Sequence, residues 1–159
     1  MRKLALISIL GGCGRTSLAA CLASAFTERG QQVLVVEFDA ANALGMHLGL
    51  EQAPADGWVS RLVAGQPWAA AALQNSEQIA FLPFGSLAAS QLDDFTVQLS
   101  GQTRWLAERL AELLGQEQTL VLLDAPPLPS PFARQALAAA DFALLVLEAD
   151  GRSLALLPS

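Results

Sequence analysis

The sequence predicts a doubly wound, mainly parallel α/β sheet, and three observations carry that prediction. Five short apolar runs recur along the chain: residues 3–10, 33–38, 79–84, 119–123 and 142–147. They are continuously apolar rather than alternating, the signature of strands covered on both faces. Stretches that read as helices separate them, and strand alternating with helix gives a parallel sheet with right-handed crossovers. With 159 residues and neither an internal repeat nor a linker, the chain is read as one domain over residues 1–159.

Each element follows from local signals. The first run, "KLALISIL", follows a charged start and superficially resembles a secretion signal. Such a signal needs a small-residue cleavage site, whereas this run ends in "GGCGRTS", a better loop than a cleavage site. Helices are expected at 16–29 and 57–73. Residues 85–101 are polar and rich in Ser and Gln, and are expected to form a loop with a helical turn. Over 102–115, Trp105, Leu106, Leu110, Leu113 and Leu114 make an apolar stripe, with Arg104, Glu108, Arg109 and Glu112 elsewhere on the helix. Gly115 reads as its stop, and a further helix is expected at 131–139. Only "EADGRSLALLPS" follows the fifth strand, so the fold is expected to be C-terminally truncated. An open edge or uncovered apolar face would follow, making the chain oligomeric or aggregation-prone.

Composition narrows the function. The chain is 53% hydrophobic and 15% charged, ample for a two-sided buried sheet, and its formal charge of −6 argues against a general nucleic-acid binder. No stretch approaches the ~18 uninterrupted apolar residues of a membrane span. The two cysteines, Cys13 and Cys21, make no disulfide framework and fit a reducing cytoplasm.

The chemistry is expected at three places. In "SILGGCGRTSLAA", residues 8–20, a glycine cluster joins an apolar strand to a helix. Gly11, Gly12 and Gly14 let the main chain approach a ligand, and the amides opening the helix favour an anion. The expected phosphate contacts are Gly11, Gly12, Cys13, Gly14, Arg15, Thr16 and Ser17, with the Thr16 hydroxyl placed for Mg²⁺. In "VLVVEFDAAN", Glu37 and Asp39 leave the second strand two residues apart, on the same side, where parallel sheets bind ligands. In "TLVLLDAPP", Asp124 ends a buried strand, the expected Mg²⁺-side partner of a phosphate loop, and Pro126 and Pro127 stop the strand. His47, the lone histidine, has no ligand cluster around it and reads as structural. Trp58, Trp68 and Trp105 read as core.

In this order, the three motifs resemble the deviant-Walker-A P-loop ATPases of the MinD/ParA group. Within it the chain is most similar to the BcsQ (YhjQ) branch of cellulose-biosynthesis accessory proteins, through "DGWVSRLVAGQPW" at 56–68 and "LPFGSL" at 82–87. The resemblance spans essentially the whole chain, though the family continues for roughly another third of its length. It implies ATP and Mg²⁺ as ligands, with Asp124 acting on the metal through water and Asp39 at the group's catalytic Asp. It also implies a nucleotide-sandwiched homodimer, and a cytoplasmic protein held at the inner membrane through partners. Those partners are a small companion protein and a cyclic-di-GMP-sensing regulator of cellulose synthase.

The departures point to a degenerate site. Leu10 stands where relatives carry the lysine that crosses the dimer to the partner's nucleotide. Arg15 stands where they carry the lysine that holds the β- and γ-phosphates. Arg keeps the charge but is planar and bulkier, so the exchange is not conservative. Weak or absent ATP hydrolysis is the expectation. A chromosome- or plasmid-partitioning or division-positioning ATPase, and a nucleotide-independent scaffold, stand as alternatives.

Overall fold

The computed structural model describes residues 2–114 and 119–156. It contains a six-stranded sheet formed by β1 (Arg2–Ser8), β2 (Val33–Glu37), β3 (Leu73–Gln74), β4 (Ala80–Leu82), β5 (Leu120–Asp124) and β6 (Phe142–Val146), in the order β3-β4-β2-β5-β1-β6. Every pairing is parallel except that of β3 with β4. The first and fourth predicted strands, now β1 and β5, are parallel neighbours with Leu4 opposite Leu122.

Strand periodicity sorts the core into two layers. Leu6, Val33, Val35 and Leu122 pack under α1 (Arg15–Thr27) and the short α2 (Leu44–His47), against Ala19, Ala23 and Leu44. On the other face Ala5, Ile7, Val36, Val121 and Leu123 meet α4 (Ala89–Ser100), α5 (Trp105–Leu114) and α6 (Pro131–Ala139). The apolar stripe predicted for α5 is buried at Trp105, Leu106 and Leu110, while the predicted stop at Gly115 lies outside the described residues. At the opposite edge from β3, Phe142, Leu144 and Leu145 of β6 are exposed, Phe142 by 67%.

Two expected elements differ and one strand is additional. Residues 85–101 contain the full helix α4 rather than a loop with one turn. Its Ser and Gln residues form a solvent face, while Phe95 and Leu99 are buried, and Gln91 Oε1 accepts the Ala88 amide at 3.0 Å to close its first turn. The helix expected over 57–73 breaks into α3 (Trp58–Val63), a 3-10 turn at Trp68–Ala71 and strand β3. Gly65, at φ 67°, and Pro67 interrupt it. Strand β3 itself, only two residues long, carries too little pattern to be read from sequence.

The two segments that carried the closer family resemblance interlock in space. The Trp58 amide donates to the Pro83 carbonyl at 2.9 Å, and that of Val59 to the Phe84 carbonyl at 3.2 Å. Trp58, 2% exposed, packs against Phe38, Trp68, Phe84 and Trp105, with ring centroids 4.7–6.3 Å apart. Its indole N–H donates to the Glu37 carbonyl at 2.8 Å, so this aromatic cluster is anchored to the end of β2.

Such contact demands glycine at the crossing. A Cβ on Gly57 would lie 2.1 Å from the Gly85 nitrogen, and one on Gly85 would lie 2.4 Å from Ser60 Oγ. Gly57→Ala is therefore expected to lower the unfolding free energy by about 2 kcal/mol or more, within the range for forced backbone shifts. Gly101→Ala, whose added carbon would approach nothing closer than 3.8 Å, should cost under about 1 kcal/mol. Urea unfolding of the two variants checks the contrast, and equal losses would refute it.

Candidate functional site

Three adjacent central strands, β2, β5 and β1, end side by side, and α1 begins directly over them. The loop between β1 and α1 turns on Gly12 and Gly14, whose φ angles of 83° and 81° are open to glycine and strained for other residues. Gly14 caps α1 with no side chain bonded to the exposed turn. Its carbonyl receives the Leu18 amide at 2.9 Å, while the first-turn amides have no partner within the helix and suit an anion. A cavity of about 230 Å³ opens there, lined by Gly12, Cys13, Gly14, Arg15, Thr16, Ser17 and His47.

Arg15 is where the site departs most from a phosphate loop. Its side chain is 7% exposed and turns inward under the helix. Nε donates to Asp124 Oδ1 at 3.1 Å, one terminal nitrogen to Ser8 Oγ at 2.6 Å, and the other to Asp39 Oδ2 at 2.9 Å. One guanidinium thus ties together the ends of β1, β2 and β5. The three site acids and bases expected from sequence, Arg15, Asp39 and Asp124, do meet, but in one another's grip. Ser8 is a partner that sequence reasoning passed over. The available signal was its parity, because it shares the inward face of Leu4 and Leu6 yet is polar.

Asp124 is fully buried, and burial pushes its carboxyl up against the pull of Arg15 and of the neighbouring Thr16 hydroxyl. Its Oδ2 has no hydrogen-bond partner among the described residues. An orphaned buried acceptor beside a threonine hydroxyl fits Mg²⁺, which keeps most of its waters and takes few protein ligands. Among the described residues no cluster of three or more His, Cys, Asp or Glu side chains could hold a metal alone.

Glu37 and Asp39 take different roles. Asp39 bonds Arg15 and, through Oδ1, the Ala41 amide at 3.0 Å. Glu37 is fully buried and accepts the Leu44 amide at 2.8 Å and the Phe84 amide at 3.4 Å. It fastens the start of α2 and the turn after β4 to the end of β2. Desolvation raises its pKa to about 7, with Asp124 adding to the rise and the two amides opposing it. Leu10 lies half-buried before the glycines, and Pro127 stands 4.0 Å from the position a Gly11 Cβ would take.

With this geometry in hand, comparison with known proteins is decisive. The family profile described as "Cellulose biosynthesis protein BcsQ" matches residues 1–159. The chain belongs to the BcsQ family. A BcsQ of Salmonella typhimurium is 33% identical over 158 residues, covering 94% of this chain and 60% of that protein. The chromosome-partitioning ATPase Soj of Thermus thermophilus is 33% identical over 150 residues, covering 94% and 56% respectively. Among solved structures, cobyrinic acid a,c-diamide synthase of Mycobacterium smegmatis with bound ADP and magnesium superposes with a TM-score of 0.78 at 26% identity, covering 92% of this chain and 60% of that one. The fold is that of the P-loop ATPases of the MinD/ParA type. This chain spans about 60% of the length of the BcsQ relatives it matches.

The buried Glu37 carboxyl makes stability depend on pH. Its folded pKa, about 7, lies above its ordinary value of 4.5, so the folded state holds that proton more tightly. The stabilising contribution is full below the lower value and is lost as pH rises through the upper one. Between pH 5 and pH 8 the wild type should lose roughly 2 to 3 kcal/mol more unfolding free energy than Glu37→Gln. Urea titrations at the two pH values measure this, and parallel losses would remove the assignment.

Proposed function

We propose that this BcsQ-family chain is a nucleotide-binding accessory protein of bacterial cellulose synthesis and secretion whose phosphate loop binds ATP with weak or absent hydrolysis. The observation that carries the reading is the division of labour in the loop. Its turn, its first-turn amides and its cavity are open to phosphate, while the Arg15 charge is consumed by Asp39 and Asp124.

Gly11, Gly12, Cys13, Gly14 and Ser17 supply the main-chain cradle. The Thr16 hydroxyl, and Asp124 through water, would hold Mg²⁺, which when bound offsets phosphate charge. Asp39 is the carboxylate in position to orient an attacking water, and its ion pair with Arg15 weakens it for that task. Arg15, bonded inward, is not poised to bridge the β- and γ-phosphates as a flexible ammonium would. Both effects lower turnover more than they lower binding.

The cellulose role rests on family membership, since the relatives that share the chain's pattern are named for it. Partners in this reading are a second copy of the chain, a small companion protein and a cyclic-di-GMP-sensing regulator of the synthase. No described helix is long and apolar enough to cross a membrane, so inner-membrane placement of a cytoplasmic protein would come through those partners. The similarity to Soj keeps a chromosome-partitioning role as the second reading, and the net charge of −6 favours protein partners over DNA.

Titration calorimetry with ATP and Mg²⁺ at millimolar concentration should give a binding isotherm. No heat and no thermal shift would eliminate nucleotide binding and leave a scaffold. Arg15→Lys should raise ATP turnover by about tenfold or more, because a point ammonium lacks the fork that holds Arg15 on three separate acceptors and can turn to phosphate. Unchanged turnover would move the lesion to Leu10.

Deleting the gene separates the two biological roles. Lost cellulose secretion with normal chromosome segregation is the expected outcome. Normal cellulose with missegregated chromosomes or misplaced septa would overturn it.

A further inference from the structure

The phosphate cavity contains one residue that no loop motif explains. Of its lining, Gly12 to Ser17 are consecutive, and His47 arrives from a separate element. We propose that His47 is a phosphate-contacting residue of this site, supplying from across the cavity the donor that Arg15, turned inward, withholds. The proposal rests on the nucleotide-binding reading of the same loop and extends it to the ligand's phosphates.

Two independent sets of contacts carry the inference. The first concerns Arg15, whose three guanidinium nitrogens each bond an internal acceptor and whose charge faces two carboxylates. A phosphate entering the cavity therefore meets main-chain amides and the Thr16 and Ser17 hydroxyls, with the adjacent cation already paired. The second concerns how His47 is held. It ends α2, whose first amide, on Leu44, is bonded to the buried Glu37 carboxylate at 2.8 Å. The next residue, Leu48, is 7% exposed, and its carbonyl receives Asn75 Nδ2 at 3.1 Å. The backbone that carries His47 is thus pinned on both sides to the sheet that carries the loop.

The imidazole itself is exposed, and among the described residues no hydrogen bond or ion pair occupies it. His47, exposed on a fixed backbone and lining a cavity of about 230 Å³, contributes little to the core and is free to bind. An imidazole offers an N–H donor when neutral and a second donor with positive charge when protonated, which suits a di- or triphosphate.

Calorimetric titration of the 159-residue chain with ADP and, separately, with inorganic pyrophosphate tests this. His47→Ala should weaken both ligands about tenfold, the size of one charge-assisted contact. His47→Arg should restore both, and the unliganded proteins should melt together because the ring is exposed. Equal losses for the two ligands are the mark of a phosphate contact. Wild-type affinity for both ligands in His47→Ala would overturn the proposal while leaving nucleotide binding intact, and a loss confined to ADP would overturn the phosphate assignment. A wild type that binds neither ligand would remove the nucleotide reading and this inference with it.

Discussion

A single buried cation organises the functional end of this protein. Asp124 ends β5 in the middle of the sheet and has no exposure to water, and Asp39 stands two residues beyond the adjacent β2. Two carboxylates so close would repel each other and resist burial without a counter-charge. Arg15 supplies it from the first position of α1, and its planar fork reaches Ser8 on β1 as well. A lysine, with one nitrogen at the end of a flexible stem, would hold the same three acceptors only if all of them converged on that single atom, whereas the arginine fork meets each with a separate nitrogen. The residue that looks like a defect in a phosphate loop is a structural bridge between the helix and the sheet.

That bridge has a counterpart in the buried acid beside it. Glu37 pairs with Asp124 in the strand register and takes no part in the ion pairs. Its oxygens hold the amides of Leu44 and Phe84, and its carbonyl holds the Trp58 indole. Through these contacts the end of β2 is joined to α2, to the turn after β4 and to the aromatic cluster beneath α4, α5 and α6. The close crossing of Gly57 and Gly85 is what lets α3 sit against that turn. Of these elements α2 reaches the cavity in front of the loop, through His47.

Desolvation sets the character of the site. Burial raises both Glu37 and Asp124, and only Asp124 has a cation in contact. The Arg15 charge at the loop is balanced internally by Asp39 and Asp124. What the cavity presents is the turn of the loop, the first-turn amides of α1 and a lining that includes Thr16, Ser17 and His47. Binding without rapid turnover, the function we propose, would follow from keeping the cradle and neutralising the groups that would drive hydrolysis.

Local pattern was enough to determine the fold class and five of the six strands. Continuous apolar runs mark buried parallel strands because both faces are covered, and the glycine cluster between strand and helix marks the loop. The acids at strand ends were legible because strand parity and the carboxyl-end rule act within a few residues. Helix α4 was missed because a helix with a narrow buried stripe looks like polar loop until Phe95 and Leu99 find the core. The break-up of 57–73 had a local signal in Gly65 and Pro67, which the reading of one continuous helix passed over. Only the tertiary structure decided that Arg15 faces the carboxylates of Asp39 and Asp124, that Ser8 receives it, that Glu37 is a fastener and that His47 borders the cavity at the loop. Each of those depends on which side chains meet across strands distant in sequence, where burial fixes the partner of a charge and no local periodicity records it.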